Sequence, residues 1–290
     1  MLNHLKKIFS IFLIFNLTFV TSAQAAAVEF VDSFSVAVQE TVPSGVAFNN
    51  DGTKMFVLGA DGDDVNEYTL STGFDVSTST FVNAFSVAAQ DTAPTDITFN
   101  NDGTKMFVLG YTGEVVNEYT LSTGFDVSTS TFVDAFSVAV QETSPTGLAF
   151  NNDGTKMFVT GADGDDVNEY TLTTAFDVST ASFVDSFSVR TQETLPEGIA
   201  FNNDGTKMFV VGFIGDDVNE YTLSTGFDVS TSTFVNAFSV AAQETSPSGI
   251  AFNNDGTKMF VIGYTGDDVN EYTLNNGFDL DGDPNDNKDV

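Results

Sequence analysis

Cysteine and tryptophan are absent from this chain, histidine occurs once, and only nine of its 290 residues are lysine or arginine. Without cysteine there are no disulfides, no thiolate metal sites and no thiol nucleophile, so burial alone must hold the fold. The single histidine is His4, close to the N-terminus. An imidazole base and a Ser–His–Asp arrangement are therefore excluded from the rest of the chain. Arg190 is the only arginine, and 41 acidic residues bring the formal net charge to −32. A chain this anionic repels nucleic acid and anionic lipid, so both are poor partners. No sustained helical period of apolar residues is present either, which argues against a helical protein.

The N-terminus reads as a secretory signal peptide. MLNHLKK is basic, residues 8–20 are apolar, and small residues stand at Ala23 and Ala25. Cleavage is expected after Ala25, and the alternative is a membrane anchor, for which the apolar run is short. No later segment is apolar enough to span a bilayer. Cleavage removes Lys6 and Lys7, leaving 9 − 2 = 7 basic residues against 41 acidic ones, a charge of −34. The expected product is a soluble monomer in the periplasm or the medium.

What the chain has in abundance is repetition. FNNDGTKMFV begins at residues 48, 99, 150, 201 and 252, a constant spacing of 99 − 48 = 51. A period of this size signals a solenoid, a propeller or an array. In the unit 145–195 four short strands are legible: a (147–150), b (156–161), c (167–172) and d (183–189). Asn152-Asp153-Gly154 supplies turn chemistry between a and b, and residues 161–166 turn b into c. Five of the six prolines open a unit, where a ladder hydrogen bond is not yet needed. Strand b is apolar on both faces, as expected between two neighbouring sheets. A repeated four-stranded antiparallel unit is a propeller blade.

The strand count predicts how the ring closes. The segment Phe30–Val36 is a strand d with no a, b or c before it. The last unit has a, b and c through Leu274 and no d. The predicted fold is therefore an all-β, five-bladed β-propeller over 26–278, closed by the N-terminal strand, with an acidic tail at 279–290. The rival is an open array whose orphan strands pair between molecules; closure within one chain avoids the entropy of association.

FNNDGTKMFV resembles the strand–turn–strand of YVTN-type and TolB-type propeller repeats, whose pattern is close to SPDGT followed by an apolar strand. The whole unit resembles the propeller repeats of bacterial exported and phage proteins, over residues 30–278. The resemblance implies the fold. Some YVTN relatives are lactonases, but the repeated motif carries no catalytic residue. The histidine and arginine residues that a phosphogluconolactonase uses are missing. Five-bladed rings also include glycoside hydrolases and a sugar-binding lectin, an analogy at the level of fold.

Among near-identical blades, the informative residues are those that differ. The variable positions gather in the b–c loops and the d–a segments, which share one face of a propeller. Tyr111, Phe213, Ile214 and Tyr264 stand in b–c loops as candidate ligand contacts, although neutral drift of exposed loops gives the same pattern. Asp96 replaces a glycine found in the other four units and should lie near the channel mouth. Arg190 is close in sequence to Glu197, and the two form either a rim salt bridge or an asymmetric polar pocket. Calcium is the one cofactor the sequence suggests. Asp279, Asp281, Asp283 and Asp286 alternate along the tail as hard-cation ligands do, with Asp289 beyond; Asp61, Asp63, Asp64 and Glu67 crowd one b–c loop. A solvated acidic tail is the alternative.

Two function classes follow. The first is an exported, non-enzymatic binding module that takes a glycan or a protein surface on the d–a/b–c face. The second is a carboxylate-based carbohydrate or lactone hydrolase with calcium assistance. The innermost strands offer a single carboxylate, Asp96, where a hydrolase needs a pair. A repeat protein with no ligand is the third outcome compatible with the residues.

Overall fold

The computed structural model describes residues 27–282. The predicted signal peptide and Asp283, Asp286 and Asp289 lie outside the described residues. Five four-stranded antiparallel sheets are arranged as the blades of one closed ring. In blade 3 the strands are a (Pro145–Phe150), b (Lys156–Gly161), c (Asp166–Leu172) and d (Ala181–Ser188). Blade 5 takes its outer strand from the N-terminus: Val28–Ser35 pairs antiparallel with Asp268–Leu274, from Val28 opposite Leu274 to Ser35 opposite Asp268. Closure is thus intramolecular, and it leaves no inner blade face exposed.

Each blade buries most of its b and c strands, and the core runs between blades rather than within them. Met55, Phe56, Val57 and Leu58 of one strand b are all inaccessible to solvent. Tyr68 packs edge-on between Phe34 of the preceding outer strand and Phe81 of its own, at ring-centroid distances of 5.6 and 5.7 Å. The same clasp recurs at Tyr119, Tyr170, Tyr221 and Tyr272.

Every described lysine is consumed in joining blades. Lys54 Nζ lies 2.7 Å from Glu67 Oε1 on the neighbouring strand and donates to the Phe125 carbonyl of the next blade at 2.5 Å. Glu67 Oε2 accepts the Val127 N–H of that same blade. The four other pairs repeat this bridge, and Lys258 and Glu271 carry it across the closure to Phe74 and Val76. The segment 278–282 belongs to the same scheme. Lys207 donates to the Phe278 carbonyl, and Glu220 accepts the Leu280 N–H.

A second ring runs around the a–b mouth of the channel. The Asn50 side chain donates to the Asn101 carbonyl, Asn101 to Asn152, Asn152 to Asn203, Asn203 to Asn254, and Asn254 back to Asn50. Five side chains of one type close a hydrogen-bonded circle because the blades are near-identical. Among the described residues, no helix is long and apolar enough to cross a membrane.

Candidate functional site: the axial mouth and channel

The d–a and b–c connections stand together on one face, tied by an acid in each d–a segment. Glu40 accepts the Val42, Asp61 and Gly62 N–H groups, so one buried carboxylate shapes both loops. Asp91, Glu142, Glu193 and Glu244 do the same in the other blades. The close approach explains the glycine that ends each strand b: a Cβ on Gly59 would lie 2.1 Å from Glu40 Cδ. Sequence reasoning missed these five acids, because nothing in the tripeptide QET, or QDT in blade 2, says that its carboxylate turns inward.

At the entrance to each strand a, the residue after the proline reaches the next blade. Ser44, Thr95, Thr146 and Ser248 donate their hydroxyls to the proline carbonyl of the following blade. Glu197 breaks this circle in blade 4. Its side chain has no hydrogen-bond partner among the described residues, and burial, with the charge of Glu193, pushes its carboxyl from the ordinary 4.5 up to about 8.

One residue further in, the channel has a waist. Gly45, Gly147, Gly198 and Gly249 leave no side chain there, and backbones of adjacent blades nearly touch: a Cβ on Gly198 would lie 3.0 Å from Gly249 Cα. Asp96 is the fifth member and fills the space the glycines leave. Its Oδ2 accepts the Leu148 N–H at 2.7 Å and its Oδ1 the Ile97 N–H at 2.8 Å. Only 7% of Asp96 is exposed. Burial pushes its carboxyl from 3.8 up to about 8, against the pull of those two N–H bonds. Asp96 therefore stands on the axis rather than on the loop surface.

Tyr264 is half-buried in the b–c loop of blade 5. Burial pushes its phenol up, and the charges of Glu197 and Asp96 add to the shift, which brings the three into one electrostatic neighbourhood. Tyr111, Phe213 and Ile214 remain on the loop tips, with 48%, 40% and 60% of their surface exposed. Arg190 is not part of this group. Its guanidinium lies 3.3 Å from Asp165 Oδ2 and is largely exposed, and it forms no ion pair with Glu197.

Below the waist lies a cavity of about 220 Å³ that reaches the a–b mouth at Asn50 and Asn101. Strands a of all five blades line it, and its polar departures come from blade 2, Asp96 and Thr98. Thr98 stands where the other blades carry Ala47, Ala149, Ala200 and Ala251. The difference between DITF and GVAF or GLAF carries this signal in the sequence.

The tail residues proposed for calcium divide. Asp279 is buried and accepts the Asp281 and Gly282 N–H groups through Oδ1, and the Asn276 side-chain N–H through Oδ2. It is engaged as a turn acceptor. Asp281 follows it, and Asp283 and Asp286 are outside the described residues. Among the described residues, no group of three or more acidic or histidine side chains is gathered as a metal site. In the b–c loop, Asp61 accepts from Thr41 and Glu67 is held by Lys54.

No protein-family model matches the chain, and no curated protein matches it. Solved structures match by fold. A luciferin-regenerating enzyme superposes with a TM-score of 0.51 at 12% identity, over 84% of this chain and 94% of that one. A chain of a nidogen–laminin complex gives 0.50 at 11% identity, over 76% and 72%. A candidate 6-phosphogluconolactonase from Bacteroides uniformis gives 0.47 at 13% identity, over 76% of this chain. This chain spans 64% of that protein's length. At such identities the first two likenesses show a shared fold alone.

Proposed function

We propose that the protein is an exported, non-enzymatic binding module that takes a neutral glycan on its d–a/b–c face. The observation that carries this reading is the placement of Tyr111, Phe213 and Ile214 as exposed rings and apolar tips around a mouth that holds Glu197 and Tyr264. Sugars stack their apolar faces on aromatic side chains and satisfy their hydroxyls on nearby carboxyl and phenol groups. The strong negative charge argues for neutral rather than acidic glycans. Affinity electrophoresis in gels containing neutral polysaccharides tests it. Retardation in at least one gel is expected, with loss in Tyr111→Ala/Ile214→Ser at unchanged thermal stability. No retardation in any gel, or equal retardation of the variant, overturns it; binding only to a protein surface would also count against the glycan.

One observation favours a second reading. Asp96 and Glu197 are two carboxyls raised by burial near one phenol, the kind of acid that can protonate a leaving group at neutral pH. A lactone or glycoside hydrolase would then lose turnover in Glu197→Gln. Absence of hydrolysis of gluconolactone and aryl glycosides by the wild type removes this reading.

A further inference from the structure

The axial cavity differs from the loop face in its position, its opening and its chemistry. It lies on the other side of the waist, and Asn50 and Asn101 of the a–b mouth contribute to its lining. The four other inner strands line it with apolar residues only, alanine standing where blade 2 gives Thr98, and the one strand carboxylate in the lining is Asp96. Asp96 has two backbone N–H partners and, among the described residues, no cation beside it. None is within reach in the ring: the five described lysines are each bound to a glutamate at a blade interface, and Arg190 is bound to Asp165. Buried carboxylates are ordinarily paired, so this one lacks a counter-charge. Thr98 Oγ1 likewise makes no hydrogen bond among the described residues. Phe48, Phe99 and Phe150 also line it and give its wall apolar surface.

We propose that this cavity binds a small organic cation, with its ammonium group on Asp96 and Thr98 and its apolar body between the phenyl rings of Phe48, Phe99 and Phe150. The size agrees. At about 30 Å³ per water, a volume near 220 Å³ holds roughly seven waters, or a ligand of five to eight heavy atoms. The field agrees as well, because a protein with a net charge of −32 concentrates cations at its openings. An ammonium in contact favours the ionised carboxylate, which burial in the empty cavity opposes. The proposal is independent of the glycan reading, since it uses neither Tyr111 nor Ile214.

The test uses n-butylammonium as probe and n-butanol as its neutral isostere. Thermal unfolding and calorimetric titration are run on the full chain. Two variants restore residues the other blades already carry, Thr98→Ala and Asp96→Gly, so both substitutions suit the fold. A saturable rise in melting temperature is expected with butylammonium and not with butanol. Asp96→Gly should weaken binding by roughly ten-fold or more, the loss expected for a charge-assisted contact. Thr98→Ala should weaken it by a smaller factor. A five-atom ligand limits the affinity to roughly micromolar at best, so the titration must extend to millimolar probe. No saturable response, an equal response to butanol, or an unchanged response in both variants overturns the proposal. If Asp96→Gly fails to fold, Thr98→Ala and the butanol comparison decide.

Discussion

The five lysine–glutamate bridges offer a controlled experiment within one molecule. Four of the lysine side chains keep 26–27% of their surface exposed, and Lys207 keeps 6%. Hydrogen bonds at the five sites are the same, with Nζ–Oε1 distances of 2.6–2.7 Å. Glu220→Gln and Glu118→Gln each remove a carboxylate charge and leave an amide that serves either the lysine or the backbone N–H of the next blade, not both. That lost hydrogen bond is common to the two variants and cancels in the comparison. What differs is the stranded lysine. Lys105 can turn toward water; Lys207 cannot. Breaking a fully buried pair from one side costs about 3–5 kcal/mol, and partial access to solvent reduces this to about 1–3 kcal/mol. A difference of about 2 kcal/mol moves the melting temperature of a domain this size by roughly 4–8 °C. Burial pushes the Glu220 carboxyl up despite its lysine, as expected for the most desolvated of the five bridges. Differential scanning calorimetry of both variants at pH 7 gives the answer. Melting temperatures agreeing within about 1 °C, or a more stable Glu220→Gln, would refute the argument that burial of the stranded lysine sets the cost.

Asp96 and Glu197 have folded-state values raised to about 8, so the stability they contribute is complete below about pH 4 and is lost as pH rises through 8. The unfolding free energy from denaturant titration should fall between pH 5 and pH 8, by up to about 1.4 kcal/mol per pH unit for each group, and Glu197→Gln should flatten the slope. A free energy that rises with pH over that interval contradicts the assignment. At the waist, a Cβ on Gly45 would lie 2.7 Å from Asp96 Oδ1 and 3.0 Å from its Cα. Gly45→Ala should therefore destabilise by about 1–3 kcal/mol, with much of the loss recovered in Gly45→Ala/Asp96→Gly. Urea unfolding checks this, and additive losses in the double variant would show that the two residues do not share the axis. Deleting residues 27–36 should leave blade 5 with three strands and an open seam. A synthetic peptide of that sequence should restore the near-ultraviolet dichroism of the intact ring, and a truncated chain that folds equally well alone would show that closure is not required.

The parts of the molecule that the sequence determined are those whose causes are local. Asn-Asp-Gly makes a tight turn wherever it stands between two apolar runs, and proline opens a strand for lack of an N–H group. Alternation and strand length then give hairpins, and counting five of each strand predicts that Phe30–Val36 completes the last blade. The candidate site was legible only as a set of departures: Asp96 from glycine, Glu197 from serine or threonine, and Tyr111 and Tyr264 within the loops. Their relation was not. Tyr264 feels Glu197 and Asp96 because the ring brings blades 2, 4 and 5 to one axis, and Arg190 turns to Asp165 rather than to its neighbour in sequence. The bridges from Lys54 to Phe125 and the asparagine circle join residues 71 and 51 positions apart. Such contacts depend on the rotation from each blade to the next, a quantity set by the packing of whole sheets. No short stretch of sequence contains it, so only the closed ring decided which side chains meet on its axis.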